Sequence, residues 1–224
     1  MKRIFLFYIM AIMAISMSAQ NDVTTFLGIP VDGFKSEMKQ KLVSKGFVPK
    51  KVGANEFLEG EFNGTDVHVY IATNNNKVYR IMLSDKNTVD EAQIKIRFNN
   101  LVKQFENNKR YYAFGDYSLS DEEDISYEMI VHNKIYAAYY SQNPDFENID
   151  TKVQIAIKEK YSAEELKNPS ETVKNDIKDI TNKILGYHFM KQVWFCIERY
   201  RDNGEYYICM YYDNKYNQAN GEDL

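Results

Sequence analysis

Tight turns separate three alternating segments in Glu56–Ser84, EFLEGEFNGTDVHVYIATNNNKVYRIMLS, and this pattern determines the fold class. The turns are Asn63-Gly64 and Asn74-Asn75-Asn76. Asn and Gly tolerate positive φ, so turns of this composition are typical of β-hairpins. Apolar and polar residues alternate in each segment, as expected for strands with one buried face. The stretch therefore predicts three antiparallel strands, at Glu56–Phe62, Asp66–Thr73 and Lys77–Ser84.

An amphipathic segment precedes these strands and predicts a helix. Phe34, Met38 and Leu42 recur every four residues, which places them on one helical face. Asp32 is positioned to cap the helix and Gly46 to end it.

A second helix is predicted after the strands, from Val89 to about Asn107, because the apolar residues of this segment form one stripe. Thr88 and Glu91 have the spacing of a capping box at its start. The stripe consists of Ile94, Phe98, Leu101, Val102 and Phe105. Such a helix is expected to lie on a sheet face.

The second half of the chain again alternates strand and helix patterns. Ile125–Val131 and Ile135–Ser141 predict a strand pair. Lys152–Lys160 alternates apolar and polar residues and predicts a half-buried strand, with a helix as the alternative. Ser170 starts a helix that is predicted to stop at Gly186.

These patterns predict an α+β fold in which helices pack on one or both faces of antiparallel sheet, because strands joined by tight turns must be antiparallel. No linker rich in Pro, Gly or Ser divides the chain. Residues 20–216 are therefore predicted to form a single domain. Two similar helix-plus-sheet layers, about 26–120 and 121–216, are an alternative description of it. Residues 217–224 are predicted to be a frayed tail.

The N-terminus has the three parts of a secretory signal peptide. Lys2 and Arg3 precede an apolar run of about a dozen residues, and small residues up to Ala19 lead into polar sequence. A membrane-spanning helix needs about 20 apolar residues, so the run is too short for one. Residues 1–19 are therefore predicted to be removed, with cleavage after Ser18 as the alternative. The mature protein is then predicted to be periplasmic or extracellular, without a membrane span.

The charge balance argues against a nucleic-acid partner. Removing Lys2 and Arg3 leaves 26 of the 28 basic residues against 32 acidic residues, a formal charge of −6. Nucleic-acid affinity rests on clustered cations. We therefore expect no nucleic-acid partner. A protein or glycan partner is expected instead, because Tyr and Trp side chains give large contact areas at low entropic cost.

No catalytic or metal signature stands out in the sequence. His68, His132 and His188 have no local metal-ligand spacing, and no serine lies in a Gly-x-Ser-x-Gly elbow. We therefore predict no catalytic residue, metal or cofactor. The alternative is a hydrolase whose dyad is assembled from residues distant in sequence. A deep pocket with two carboxylates, or a His beside a Ser or Cys, would favour the hydrolase.

The C-terminal hairpin, Lys191–Arg201 and Glu205–Asp213, places Cys196 opposite Cys209 across a turn around Asp202-Asn203-Gly204. Cross-strand neighbours lie about 4.5–5.5 Å apart, within reach of a disulfide at a non-hydrogen-bonded pair. An oxidising compartment favours the bond. The register thus predicts a Cys196–Cys209 disulfide, with two free, packed thiols as the alternative.

The same register sorts the hairpin into two faces. The face predicted for the core carries Val193, Phe195, Ile197, Tyr206, Ile208, Met210 and Tyr212. The other face carries Trp194, Glu198, Tyr200, Tyr207 and Tyr211. Exposed aromatic patches are typical of partner surfaces, so these five residues predict the binding face of a non-enzymatic exported interaction protein. The alternative is that the helix after Ser170 covers this face with Val173, Ile177, Ile180 and Ile184.

Four features between Phe26 and Tyr112 carry a resemblance to known proteins. They are the opening Phe26-Leu27-Gly28-Ile29-Pro30, the helix end Lys45-Gly46-Phe47, the strand Phe57–Gly64 and the helix through Phe105. This region resembles a group of uncharacterised exported proteins of Gram-negative gut bacteria. It is also similar to the helix-plus-antiparallel-sheet repeat of β-lactamase-inhibitor-protein-like folds. The resemblance implies a repeated helix-plus-sheet fold and assigns no activity.

Overall fold

The structure, a computed structural model, describes residues 23–143 and 146–219. The predicted signal peptide, residues 1–19, lies outside the described residues. The described chain is an α+β fold built on antiparallel sheet, which confirms the predicted class. No helix in residues 23–143 and 146–219 is both long and apolar enough to cross a bilayer.

The described elements form two successive runs along the chain, each with one helix followed by four strands, and the second run contains four further helices. The strands are β1 Thr25–Phe26, β2 Ile29–Pro30, β3 Val48–Val52, β4 Asn55–Phe62, β5 Thr65–Asn74, β6 Lys77–Asp85, β7 Tyr111–Ala113, β8 Ala137–Gln142, β9 Gln192–Arg199 and β10 Tyr206–Asp213. The α helices are α1 Lys35–Ser44, α2 Glu91–Glu106, α3 Ile125–Val131, α4 Phe146–Lys160, α5 Ala163–Lys167 and α6 Glu171–His188, and a 3-10 turn covers Lys215–Asn217.

One eight-stranded antiparallel sheet connects the two runs. Its strand order is β3-β4-β5-β6-β10-β9-β8-β7, and β1 and β2 form a separate hairpin. In chain order, α1 precedes β3–β6 and α2 precedes β7–β10. The last strands of the two runs, β6 and β10, pair at the centre of the sheet with Met82 opposite Tyr211. The sheet is therefore continuous across both runs.

Helices α1 and α2 pack on the same face of this sheet and form its core. Met38 and Leu42 of α1 are buried, and so is the whole predicted stripe of α2. Phe195 of β9 packs against Phe98 and Phe105 of α2, with ring centroids 5.1 and 5.5 Å apart. The seven hairpin residues predicted for the core are all buried, which confirms the predicted register.

Two segments predicted as strands are helices. Ile125–Val131 is α3, which begins where the Asp124 carboxylate accepts a hydrogen bond from the Tyr127 amide at 2.8 Å. Lys152–Lys160 lies within α4, where Val153 and Ile157 are buried while Ile155 is 52% exposed. Residues four apart share a face in both a strand and a helix, so a short apolar run does not separate the two periods.

The predicted capping box of α2 is wrong. Asp90 caps this helix, since its carboxylate accepts a hydrogen bond from the Gln93 amide at 2.8 Å. The Thr88 hydroxyl donates to Glu205 instead, and Glu91 accepts from the amide of α3 at Ile125. Thr88 and Glu91 thus form long-range hydrogen bonds instead of a local capping box.

Two other predicted helix ends differ from the structure. Asp32 does not cap α1, because its carboxylate accepts from the Gly33 amide at 2.7 Å. Gly46 follows α1 with φ +99°, a conformation that suits glycine, and ends the helix as predicted. Helix α6 continues through Gly186 to His188.

Candidate functional site

The sheet face opposite α1 and α2 carries one row of large side chains. Register places Tyr139 of β8 opposite Trp194, Trp194 opposite Tyr211, and Tyr211 opposite Met82. Six residues on neighbouring strands from β8 to β4 form this row, which we call the aromatic row. They are Tyr139, Trp194, Tyr211, Met82, Tyr70 and Phe57. With strands about 4.8 Å apart, the row is about 24 Å long.

Strand alternation turns the row away from the core. Val193 and Phe195, on either side of Trp194 in sequence, are both fully buried on the inner face. Met210 and Tyr212 flank Tyr211 in the same way and are also buried. Because α1 and α2 cover the inner face, the row lies on the opposite face, which we call the open face.

Three rings of the row stack on one another. The Trp194 ring lies 5.6 Å from the Tyr139 ring and 3.9 Å from the Tyr211 ring, at interplanar angles of 19° and 15°. Trp194 belongs to β9, between the strands of the other two rings. Both faces of the indole are therefore covered by neighbouring rings, and the indole presents its edge outward.

A buried carboxylate holds this stack in place. Asp213 is 1% exposed and accepts hydrogen bonds from Arg80 Nε at 2.5 Å, from Arg80 Nη2 at 2.9 Å and from Trp194 Nε1 at 3.0 Å. The Arg80 guanidinium lies 4.9 Å from the Tyr211 ring centroid. The hydrogen bonds to Asp213 raise the pKa of Arg80. Asp213 thus pairs the charge of Arg80 beside the row and fixes the orientation of the indole.

The two cysteines lie next to the row, but the predicted disulfide is wrong. Cys196 is opposite Cys209, as predicted, and both thiols are free and buried. The Tyr200 amide donates to the Glu205 carbonyl at 2.7 Å, and such hydrogen-bonded pairs recur every second residue. Cys196 and Cys209 therefore form a hydrogen-bonded pair, in which side chains are farther apart than at the non-hydrogen-bonded pair that a disulfide favours.

We expect two thiols that react only after unfolding. Burial raises the pKa of Cys209 to about 11 and holds that of Cys196 well above its ordinary range. Because the thiolate is the reactive form, a thiol-specific dye at about pH 8 should label neither cysteine in the native protein. The denatured, unreduced protein should take up two equivalents in the same titration. Finding no reactive thiol after denaturation would contradict this expectation.

A charged group lies beyond the cysteines on the open face. The Glu59 carboxylate is 3.3 Å from His68 Nε2, 3.6 Å from Lys86 Nζ and 3.7 Å from Lys50 Nζ. Burial alone would raise the pKa of Glu59, but Lys86, Lys50 and His68 together hold it below its ordinary value. Glu59 is therefore a paired carboxylate rather than a proton donor.

His68 also lies opposite Ser84 across β5 and β6, the kind of pair that the hydrolase alternative requires. However, the His68 ring packs 4.8 Å from the Phe57 ring and its Nε2 faces Glu59, both on β4. The Ser84 hydroxyl donates to the Asp85 carbonyl at 3.3 Å. His68 is thus turned away from Ser84, and the described residues include no hydrogen bond between them.

The remaining predicted binding residues lie on the same face. Glu198 is opposite Tyr207 in the hairpin, and both are half-buried. Tyr200 directly follows β9 and is 46% exposed. Together with Trp194 and Tyr211, they form the part of the open face that the C-terminal hairpin contributes. The sequence analysis missed the other members of the row because they come from strands whose order in the sheet it could not supply.

The alternative in which α6 covers the hairpin face finds little support. The described packing of α6 is against α4, where Val153 and Ile157 are buried. An ion pair of 2.5 Å between Lys160 and Asp176 joins the two helices. The apolar side of α6 is only half-buried in this arrangement, and Tyr139 in the aromatic row is 43% exposed.

Concave sites are found on the helix side of the molecule. Three clefts beside α2 have volumes of about 550, 510 and 320 Å³. The second is lined by Phe62, Phe105 and Tyr212, and among the described residues Glu61 is its only carboxylate. No described histidine, serine or cysteine lines any of the three. Residues 23–143 and 146–219 also contain no cluster of three His, Cys, Asp or Glu side chains arranged to bind a metal.

Comparison of the chain with protein-family models, curated proteins and solved structures finds no match. The resemblance to exported proteins of gut bacteria therefore stays a prediction.

Proposed function

We propose that this chain is a non-enzymatic exported binding protein that engages another macromolecule through the open face. The observation that carries the proposal is the aromatic row, a register-aligned set of large side chains on the face that α1 and α2 leave uncovered. Trp, Tyr and Arg dominate the energetics of protein interfaces, and the row contains Trp194 and three tyrosines with Arg80 beside them.

Preorganisation supports a binding role. Ordering side chains at an interface costs about 0.5–1.5 kcal/mol for each flexible side chain. In the row, Trp194 is already held by two stacked rings and by the hydrogen bond to Asp213. A partner would therefore bind an aromatic surface that is already ordered in the folded protein, so binding would carry little further cost of side-chain ordering.

The chemistry of the open face favours binding over hydrolysis. A nucleophilic cysteine needs a lowered pKa, whereas burial raises the pKa of both Cys196 and Cys209. Burial likewise raises the pKa of Tyr211 beside them. These three groups stay neutral at neutral pH, and His68 has its ring turned from Ser84.

The periplasm or the extracellular space is the proposed location, and the N-terminal sequence supports it. Lys2, Arg3, the apolar run and the small residues up to Ala19 match a secretory signal. The partner is accordingly expected among envelope or secreted macromolecules.

Replacing Trp194 with Ala is expected to weaken partner retention at least tenfold, because a central aromatic hot spot contributes about 2 kcal/mol or more. The immobilised mature protein and the W194A variant would be compared for retention of components from periplasmic and medium fractions. Tyr127→Ala is the control, since Tyr127 is 52% exposed on α3, away from the row. Equal retention by W194A and the parent protein would refute binding through the open face.

A further inference from the structure

The chemistry of the aromatic row narrows the class of its partner. A planar or sugar ligand that binds an aromatic residue by stacking needs a free ring face, as nucleobases do on aromatic platforms. Within the row, Tyr139 and Tyr211 occupy both faces of Trp194. On the side of Tyr211 away from the indole, Met82 is its neighbour in the row. Arg80 lies beside both rings, 4.9 Å from the Tyr211 centroid and 5.6 Å from the Trp194 centroid. Around Trp194 the row thus offers ring edges, whereas a stacking glycan would require free ring faces.

Charge gives a second constraint. Arg80 lies beside Trp194 and Tyr211, and its two hydrogen bonds to Asp213 already pair its charge. The middle of the row is therefore neutral and apolar, while charged side chains lie at its Phe57 end and farther along the strands. Lys50 is opposite Phe57, Glu59 and Lys86 lie beside that end, and Glu198 lies on β9 four residues from Trp194.

This distribution is that of a protein interface. Aromatic residues, Met and Arg are enriched in interface cores, and charged residues are concentrated in the surrounding rim. A standard interface covers about 800 Å² on each partner, which corresponds to a patch about 28 Å across. The row, about 24 Å long, crosses most of such a patch.

We propose that the open face binds a folded protein, which lays a neutral apolar surface across the ring edges of the aromatic row. This inference rests on the proposed function and adds the class of partner to it. The charged rim orients the partner, and the stacked rings supply the contact area.

Site-specific photo-crosslinking in the organism that encodes the chain tests this inference. p-Benzoylphenylalanine would replace Tyr139 in the full chain, and in a control chain it would replace Tyr127, whose exposure of 52% is close to the 43% of Tyr139. A melting curve of each purified variant establishes that it is folded. We expect an adduct from position 139 that protease digestion removes, that mass spectrometry identifies as another protein, and that position 127 does not give.

The same variants separate the two proposals. A protease-resistant glycan adduct at position 139 would overturn the protein partner and leave binding through the open face intact. An adduct of twice the chain's mass would replace the foreign protein by a second copy. Absence of any adduct at position 139 would overturn both proposals.

A purified partner gives a further readout. Because Arg80 is already paired, we expect raising NaCl from about 0.05 to about 0.5 M to change the dissociation constant less than about threefold. A loss of more than about tenfold would show that charge attraction dominates and would refute the neutral contact surface.

Discussion

Replacing Asp213 with Ala is expected to lower the free energy of unfolding by about 2–4 kcal/mol. The carboxylate is 1% exposed and accepts three hydrogen bonds from Arg80 and Trp194. Its removal leaves a guanidinium without its counter-ion and an indole N–H without its acceptor. The Arg80 side chain keeps 28% exposure, so water replaces part of the lost interaction. Because water reaches Arg80, the expected loss in the free energy of unfolding is smaller than the largest losses known for broken buried ion pairs.

Urea unfolding followed by circular dichroism would measure the change. Asp66→Ala is the matched control, because Asp66 is an exposed carboxylate on β5 of the same sheet and its loss is expected to cost less than about 0.5 kcal/mol. The double variant D213A/R80L should recover part of the loss, since no unpaired cation remains. If D213A were no less stable than the Asp66 variant, the carboxylate would not be holding the row.

The sequence alone could predict what local turns determine. The hairpin register follows from the turn between β9 and β10, so the division of its residues into a buried and an open face is confirmed. The complete stripe of α2 is confirmed for a similar reason, because a helix of this length shows several turns of its period. A segment as short as α3 contains too few helical turns for its apolar period to be recognised.

The aromatic row could not be predicted because it depends on long-range pairing. Met82 and Tyr211 meet only where β6 pairs with β10, and no turn connects those strands. The ion pair between Arg80 and Asp213 depends on the same pairing, because the two residues lie opposite each other on β6 and β10. Alternation could place each of these side chains on a strand face. It could not order the strands.

The disulfide shows how far a correct register extends. Which residues face each other follows from the turn, and Cys196 does face Cys209. Whether they form a hydrogen-bonded or a non-hydrogen-bonded pair depends on the first backbone bond after the turn, here from Tyr200 to Glu205. That bond spans a loop with Gly204 at φ +74°, a geometry that several loop types could supply.

Phe195→Ala and Trp194→Ala compare neighbouring residues on opposite faces of one strand, and we expect the first to be far more destabilising. Phe195 is fully buried and its ring lies 5.1 Å from Phe98, 5.5 Å from Phe105 and 6.0 Å from Tyr140. Truncating it removes apolar burial and leaves a cavity beneath α2. The expected loss in the free energy of unfolding is about 3–5 kcal/mol.

Trp194→Ala is expected to cost only about 1–2 kcal/mol, although it removes the larger side chain. The indole is half-buried, so water already reaches it, and its removal opens the surface rather than a cavity. The loss comprises two ring contacts and the hydrogen bond to Asp213. Urea unfolding followed by circular dichroism would measure both variants, since W194A lacks the only tryptophan of the chain. If W194A were as unstable as F195A, Trp194 would be a core residue, and the open face would lose the centre of its binding surface.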